Sequence, residues 1–186
     1  MGKASAGLAG MVALTTMLLA ACEATAPPPD RLQPGEPFPA VTLTDLAGGE
    51  VPLSRWRGRF LVLNVWATWC APCRRELPGL QGLSERLDPG RFAVVGLSMD
   101  DDPRVVREYL RDRGVRYTNY IDARWHVVDN ILGLTVYPAT YFISPQGVLL
   151  ARMVGEQDWA GERIVNALEA AWHGERGALS AMAAGR

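Results

Sequence analysis

Two short, near-continuous apolar runs dominate the hydrophobic pattern, "RFLVLNVWAT" at 59–68 and "RFAVVGLSMD" at 91–100. Runs of this length predict strands buried on both faces of a parallel or mixed sheet. Between them Leu77, Leu80, Leu83 and Leu87 recur at helical spacing, which predicts a helix from Ala71 to about Leu87 with Pro78 inside it as a kink. Ahead of the first run, "AVTLTDLAGGEVPLSRWRG" alternates around Gly48–Gly49 and predicts a β-hairpin. "DPRVVREYLRDRG" opens on Asp-Pro and closes on Gly, the punctuation of a helix. "VRYTNYID" predicts a short strand and "RWHVVDNIL" a short helix. "ATYFISPQGVLLARMVG" predicts a hairpin about Pro145–Gly147. "DWAGERIVNALEAAW" predicts an amphipathic helix with Ile164, Leu168 and Trp172 inward. The remaining "HGERGALSAMAAGR" is small and polar and is expected to fray. Strands alternating with helices, followed by a terminal hairpin, predict an α/β fold with a mixed central sheet flanked by helices.

The first segment has a different pattern. "MGKASAGLAGMVALTTMLLAAC" carries one early cation, Lys3, and an apolar stretch from Leu8 to Ala20. That stretch is too short for a permanent membrane span and suits a signal-peptide core. It ends in "LAAC", which resembles the bacterial lipobox; the resemblance implies cleavage before Cys22 and lipid on its sulfur. An ordinary secretory signal is the alternative. Acyl chains contribute about 0.8 kcal/mol per buried CH₂, so two or three give a durable anchor. The expected organisation is a signal peptide at 1–21, a proline-rich linker at 22–37, one domain at 38–173 and a flexible tail at 174–186. The linker favours extended polyproline II, although the chain from Gly35 onward, with Phe38 as an anchor, is also able to lie against the domain.

Composition changes this picture little. The chain has 186 residues, enough for one domain with a real core, and a net charge of −1, which gives nucleic acid no basic surface to meet. Lys3 is the only lysine. The acidic run Asp100–Asp102 reads as a helix-start cluster rather than a cation site, because no further ligands accompany it.

The cysteines carry the candidate chemistry. There are three, Cys22, Cys70 and Cys73. With Cys22 lipidated, the other two remain as one C-x-x-C pair. A structural zinc site needs four ligands, and the two histidines, His126 and His173, lack ligand spacing. A disulfide between cysteines so close in sequence closes a very small loop and is a poor staple. A redox pair uses the same facts positively. Cys70 falls at the N-terminus of the expected helix, where unpaired N–H groups and the helix dipole favour a thiolate, and Arg74 and Arg75 add positive charge. Cys73, one turn on, lies on the same face and is the expected resolving thiol.

"WATWCAPC" followed by "RRELP", the hairpin before it, the segment "YTNYIDARWHVVDNILG" and the later "GLTVYPATYFISPQG" together resemble the TlpA/ResA-like thiol–disulfide oxidoreductases of the thioredoxin superfamily. The resemblance spans about Phe38 to Trp172 and implies a thioredoxin-like sheet with an N-terminal β-hairpin extension. It implies that Pro138 is cis and faces the disulfide, and that Trp69, Ala71, Pro72 and Tyr137 line a substrate groove. Glu76 matches an acidic residue beside the disulfide; the plain alternative is a solvated glutamate paired with arginine. Two positions depart from the pattern. Asn64 stands where thioredoxin has a buried aspartate and cannot take a proton, and the bulky Tyr137 precedes the proline. The peroxide-reducing pattern P-x-x-x-T-x-x-C is not met, since Leu63 and Ala67 stand at its first two fixed positions.

The resemblance therefore implies an extracytoplasmic enzyme, lipid-anchored to a bacterial membrane through Cys22, that exchanges disulfides with protein substrates and carries no bound cofactor. A reductant in an oxidising compartment needs a membrane electron donor, and the haem-binding thiols of apocytochrome c are one substrate the resemblance implies. The same residues would serve an oxidant. A Cu(I) carrier using both thiols is the rival of another kind, with Met99 as a third ligand only if folding brings it near.

Overall fold

The computed structural model describes residues 32–175 and 177–184. The signal segment, Cys22 and the linker up to residue 31 lie outside the described residues. Among the described residues seven strands form one sheet: β1 (Thr42–Asp45), β2 (Glu50–Pro52), β3 (Phe60–Trp66), β4 (Phe92–Ser98), β5 (Thr118–Ile121), β6 (Ala139–Ile143) and β7 (Leu149–Val154). Their order across the sheet is β2-β1-β5-β4-β3-β6-β7. The two apolar runs are the central pair β3 and β4, parallel to each other and buried along their whole length. β6 lies antiparallel to β3, and the N-terminal hairpin joins the sheet through β1 against β5. The mixed sheet and the hairpin extension are as expected.

Among the described residues four α-helices cover the sheet: α1 (Ala71–Arg86), α2 (Pro103–Asp112), α3 (Glu162–Trp172) and α4 (Gly177–Ala184). Alternation along β3 divides the core. Leu61, Leu63 and Val65 pack on one face with Val106 and Leu110 of α2, and Phe60 and Val62 pack on the other with Leu80 and Leu83 of α1 and with Ile164 and Leu168 of α3. The closest fit in the sheet is at Gly96. A Cβ there would lie 1.8 Å from Asn119 Oδ1, the atom that accepts a hydrogen bond from Trp66 Nε1 at 2.9 Å. Any side chain at 96 would break that buried bond.

Several expectations need correction. The tail expected to fray carries α4, and its Leu179 is fully buried in the same core as α3. One apolar residue on a short helix docked against a helix neighbour is a weak signal among small polar residues. The short helix over 124–132 is a π-helical turn, His126–Leu132, entered through Arg124 and Trp125, both in left-handed backbone with φ of 73° and 57°. The acidic run divides. Asp102 caps α2, accepting from Arg104 N at 2.8 Å, whereas Asp100 is buried against the loop that leads to Cys70. Of the two readings of the linker's end, packing is the one found. Gly35 N donates to Leu149 O at 2.7 Å, Phe38 N donates to Gly147 O at 2.9 Å, and the Phe38 ring meets Tyr141 edge-on.

Candidate active site

β3 ends at Trp66, and a short loop carries Trp69 and Cys70 to the start of α1. Cys70 is the N-cap residue of that helix, and Pro72 occupies its first turn, where a missing N–H costs nothing. The backbone N–H of Cys73 donates to Cys70 Sγ at 3.3 Å. The two sulfurs are joined as a disulfide with the Cα atoms 5.3 Å apart. Cys70 is 7% exposed and Cys73 1%, so the first sulfur is the more accessible. When the pair is reduced, the same N–H and the helix N-terminus are placed to stabilise a Cys70 thiolate.

The loop is held from beneath by Asp100. Its carboxylate accepts from Thr68 N at 2.9 Å, from Thr68 Oγ1 at 2.5 Å and from Ser98 Oγ at 2.6 Å. Over the loop, Trp69 is 54% exposed, with its ring 6.0 Å from Trp125 and 6.3 Å from Tyr137. Trp125 Nε1 donates to Met99 O at 2.7 Å, which fixes that ring at the end of β4. Met99 itself is buried in the core. The Tyr137–Pro138 peptide is cis, and Tyr137 OH donates to Leu134 O at 3.0 Å. Ala71 is exposed and Pro72 partly so. Thus Trp69 and Tyr137 come together as one wall beside the disulfide. Trp125, a member of that wall, was not among the residues expected from sequence; a bulky residue in left-handed backbone is uncommon and has no local sequence signature.

Glu76 is not the solvated glutamate of the plain alternative. It is 2% exposed. Its Oε1 accepts from Gln157 N at 2.5 Å and from Trp159 Nε1 at 3.0 Å, both from the loop between β7 and α3. Burial pushes its pKa up to about 7, against the lowering effect of those bonds and of the neighbouring Asn64 carboxamide. Nearby Arg75 pairs instead with the exposed Glu156 at 2.5 Å. Trp159 reaches Glu76 because α1 has glycine at 79, where a Cβ would stand 3.2 Å from Trp159 Cβ. Gln157 and Trp159 were also missed in the sequence. The pattern placed Trp159 at the start of a helix that in fact begins at Glu162, so its indole was assigned to no site.

A separate cavity of about 200 Å³ lies between the N-terminal hairpin and the start of β3, lined by Phe38, Leu53, Trp56, Arg57 and Arg59 among others, and includes neither cysteine. Among the described residues no helix is long and apolar enough to cross a membrane.

Comparison with known proteins agrees with this geometry. The pattern of the AhpC/TSA family matches residues 34–152. "Thiol-disulfide oxidoreductase ResA" of Bacillus thuringiensis (strain Al Hakam) is 26% identical over 128 residues, covering 69% of this chain and 73% of its own. A putative thiol:disulfide interchange protein DsbE from Chlorobium tepidum superposes with a TM-score of 0.64 at 24% identity, over 80% of this chain and 99% of that one. A secreted thiol-disulfide isomerase from Corynebacterium glutamicum gives a TM-score of 0.61 at 26% identity, over 69% of this chain and 81% of that one. With its sheet order, its helix-capping cysteine pair and these relatives, the chain belongs to the AhpC/TSA family and has the thioredoxin-like fold of the thiol–disulfide oxidoreductases it resembles.

Proposed function

We propose that this thiol–disulfide oxidoreductase of ResA/DsbE type works outside the cytoplasm, tethered to a bacterial membrane by lipid on Cys22, and reduces disulfides in exported proteins. The observation that carries the reading is the Cys73 N–H donated to Cys70 Sγ at the cap of α1. That donor favours the charged sulfur over the neutral one. The secreted Corynebacterium relative is consistent with an exported protein.

On this reading the steps are those of dithiol exchange. The Cys70 thiolate attacks one sulfur of a substrate disulfide, forming a mixed disulfide and releasing the first substrate thiolate. Cys73 passes its proton to the Glu76 carboxylate and attacks Cys70 Sγ. The second substrate thiolate leaves, and the Cys70–Cys73 disulfide closes. Two electrons have moved to the substrate, and a membrane donor returns them. Trp69, Ala71, Pro72, Tyr137 and Pro138 form the groove in which the substrate segment lies, its backbone pairing beside Pro138 as an added strand. The cysteines of apocytochrome c are a fitting substrate class.

The reduction potential of the Cys70–Cys73 pair tests this against the opposite direction of flow. A value near or below about −270 mV, where thioredoxin sits, is expected for a reductant; one near about −120 mV, as in DsbA, would make the protein an oxidant. Cys73→Ala should then trap substrates through Cys70. Cells that accumulate no such adducts would overturn the order of attack.

A further inference from the structure

The segment "RWRGR" at 55–59 runs along the cavity between the N-terminal hairpin and the start of β3. Trp56, Arg57 and Arg59 line it. Phe38, Leu53, Leu61 and Ile143, all buried, supply its apolar wall. The Arg55 and Arg59 guanidinium carbons lie 5.4 and 5.6 Å from the Trp56 ring centroid, so two cations share one indole. The indole Nε1–H is buried and has no acceptor.

These groups have one chemistry in common. Arginine and indole N–H groups donate hydrogen bonds and accept none. Arg55, Arg57 and Arg59 are exposed, and among the described residues none of them is ion-paired with a carboxylate. Arg75, Arg86 and Arg91, by contrast, are held by Glu156, Glu162 and Glu169. An anion from outside the chain is the partner such donors select, and phosphate suits the flat guanidinium fork. At about 200 Å³ the cavity is smaller than the roughly 300 Å³ needed to enclose a whole small ligand, so it takes one part of a larger molecule. An anion joined to an apolar chain matches both its donors and its wall.

We propose that this cavity docks the domain on an anionic phospholipid surface. The arginines hold headgroup phosphates, and the apolar wall meets the first carbons of one lipid. Trp56 then sits at the water boundary, where an amphipathic indole is favoured. The described chain enters the domain along the same cavity. Phe38 lines it, and Phe38 N donates to the carbonyl of Gly147, another lining residue, at 2.9 Å. Leu32 is ten residues on from Cys22, a reach of at most about 36 Å. A lipid on Cys22 therefore keeps the cavity near the headgroups, and the choice of lipid over free phosphate rests on that reading of Cys22. Cys70 lies beyond the far end of β3, about 20 Å away along the strand, so docking leaves it free to face soluble substrates.

The test uses the full chain, made in a bacterium that lipidates exported proteins and then bound to vesicles. Backbone hydrogen exchange over 53–59 is compared on phosphatidylcholine alone and on phosphatidylcholine with about a quarter phosphatidylglycerol. Exchange there should slow at least about fivefold on the anionic vesicles only, and the slowing should vanish at high ionic strength. Arg57→Gln with Arg59→Gln should abolish it, whereas Arg57→Lys with Arg59→Lys, which keeps the charges, should retain part of it. Equal exchange on both vesicles overturns the proposal. Inorganic phosphate that slows the same amides equally on neutral vesicles makes this a free-anion site and also overturns it. The wild-type comparison decides the matter even if a variant fails to fold. Mass spectrometry of the mature chain separates the two readings. If Cys22 carries no lipid, the tether fails, and the docking site is judged by sedimentation. Sedimentation with anionic vesicles alone supports it, and sedimentation with neither kind overturns it.

Discussion

Asp100 and Glu76 are both buried carboxylates beside the segment that carries the disulfide, and they differ in what surrounds their oxygens. Asp100 has a donor on each: Thr68 Oγ1 on Oδ1, and Thr68 N with Ser98 Oγ on Oδ2. Glu76 has two donors on Oε1 and none on Oε2. A carboxylate with donors on both oxygens is a structural tie. One buried with an oxygen that no donor meets is costly to leave charged. Burial alone does not separate the two, nor does distance along the chain from the cysteines. The count of donors does.

The largest effect should come from breaking the tie. Asp100→Ala leaves Thr68 N, Thr68 Oγ1 and Ser98 Oγ without their acceptor. About 3 kcal/mol of unfolding free energy should be lost, read by urea denaturation at neutral pH, with Asp100→Asn losing roughly half as much because it keeps an acceptor. A loss below about 1 kcal/mol would mean that water replaces the carboxylate and that Asp100 is no tie.

Glu76 should act on the pH dependence of stability instead. Its folded pKa of about 7 lies above the ordinary 4.5, so the folded state holds a proton that the unfolded state has released. The contribution is full below about pH 4.5 and is lost as pH rises through about 7, up to about 3 kcal/mol in all. Gln keeps the acceptor for Gln157 N and Trp159 Nε1 and carries no charge to desolvate. Glu76→Gln should therefore remove this slope and be more stable than wild type above about pH 7. Parallel stability curves for the two proteins across that window would place the Glu76 titration in the ordinary carboxylate range.

The comparison also marks what the sequence made legible. Apolar runs and leucine spacing were enough for β3, β4 and α1, and C-x-x-C followed by a helix pattern was enough to place Cys70 at a helix cap, because these are local regularities. Glu76 was reached through the family resemblance. Its burial was not, because Trp159 and Gln157, which close over it, are some eighty residues away in sequence. Asp100 was misassigned for a related reason. A run of three acids at a helix start looks uniform, yet only the chain reversal after β4 turns the first of them inward toward Thr68. Trp125 shows the same limit in the backbone, since nothing in "ARWHV" announces two left-handed residues. Position along a strand or helix is written locally; the partner of a buried polar group is not.

The smallest expected effect tests whether surface charge reaches the proton-accepting site at all. Glu156 is exposed and bonded to Arg75, and its negative charge is the last of the influences that raise the Glu76 pKa. Glu156→Gln removes that charge and frees the Arg75 cation, and both changes favour ionised Glu76. The Glu76 midpoint should fall, by about 0.3 pH unit or less at low ionic strength, and the difference from wild type should shrink as salt is added. Asp100, tied by neutral donors rather than by surface charge, should leave the loop at Thr68 unaltered in the same variant, as read by the Thr68 amide resonance. A midpoint that rises, or a shift that persists unscreened in high salt, would mean that Glu156→Gln acts by moving the Gln157 backbone rather than through its charge.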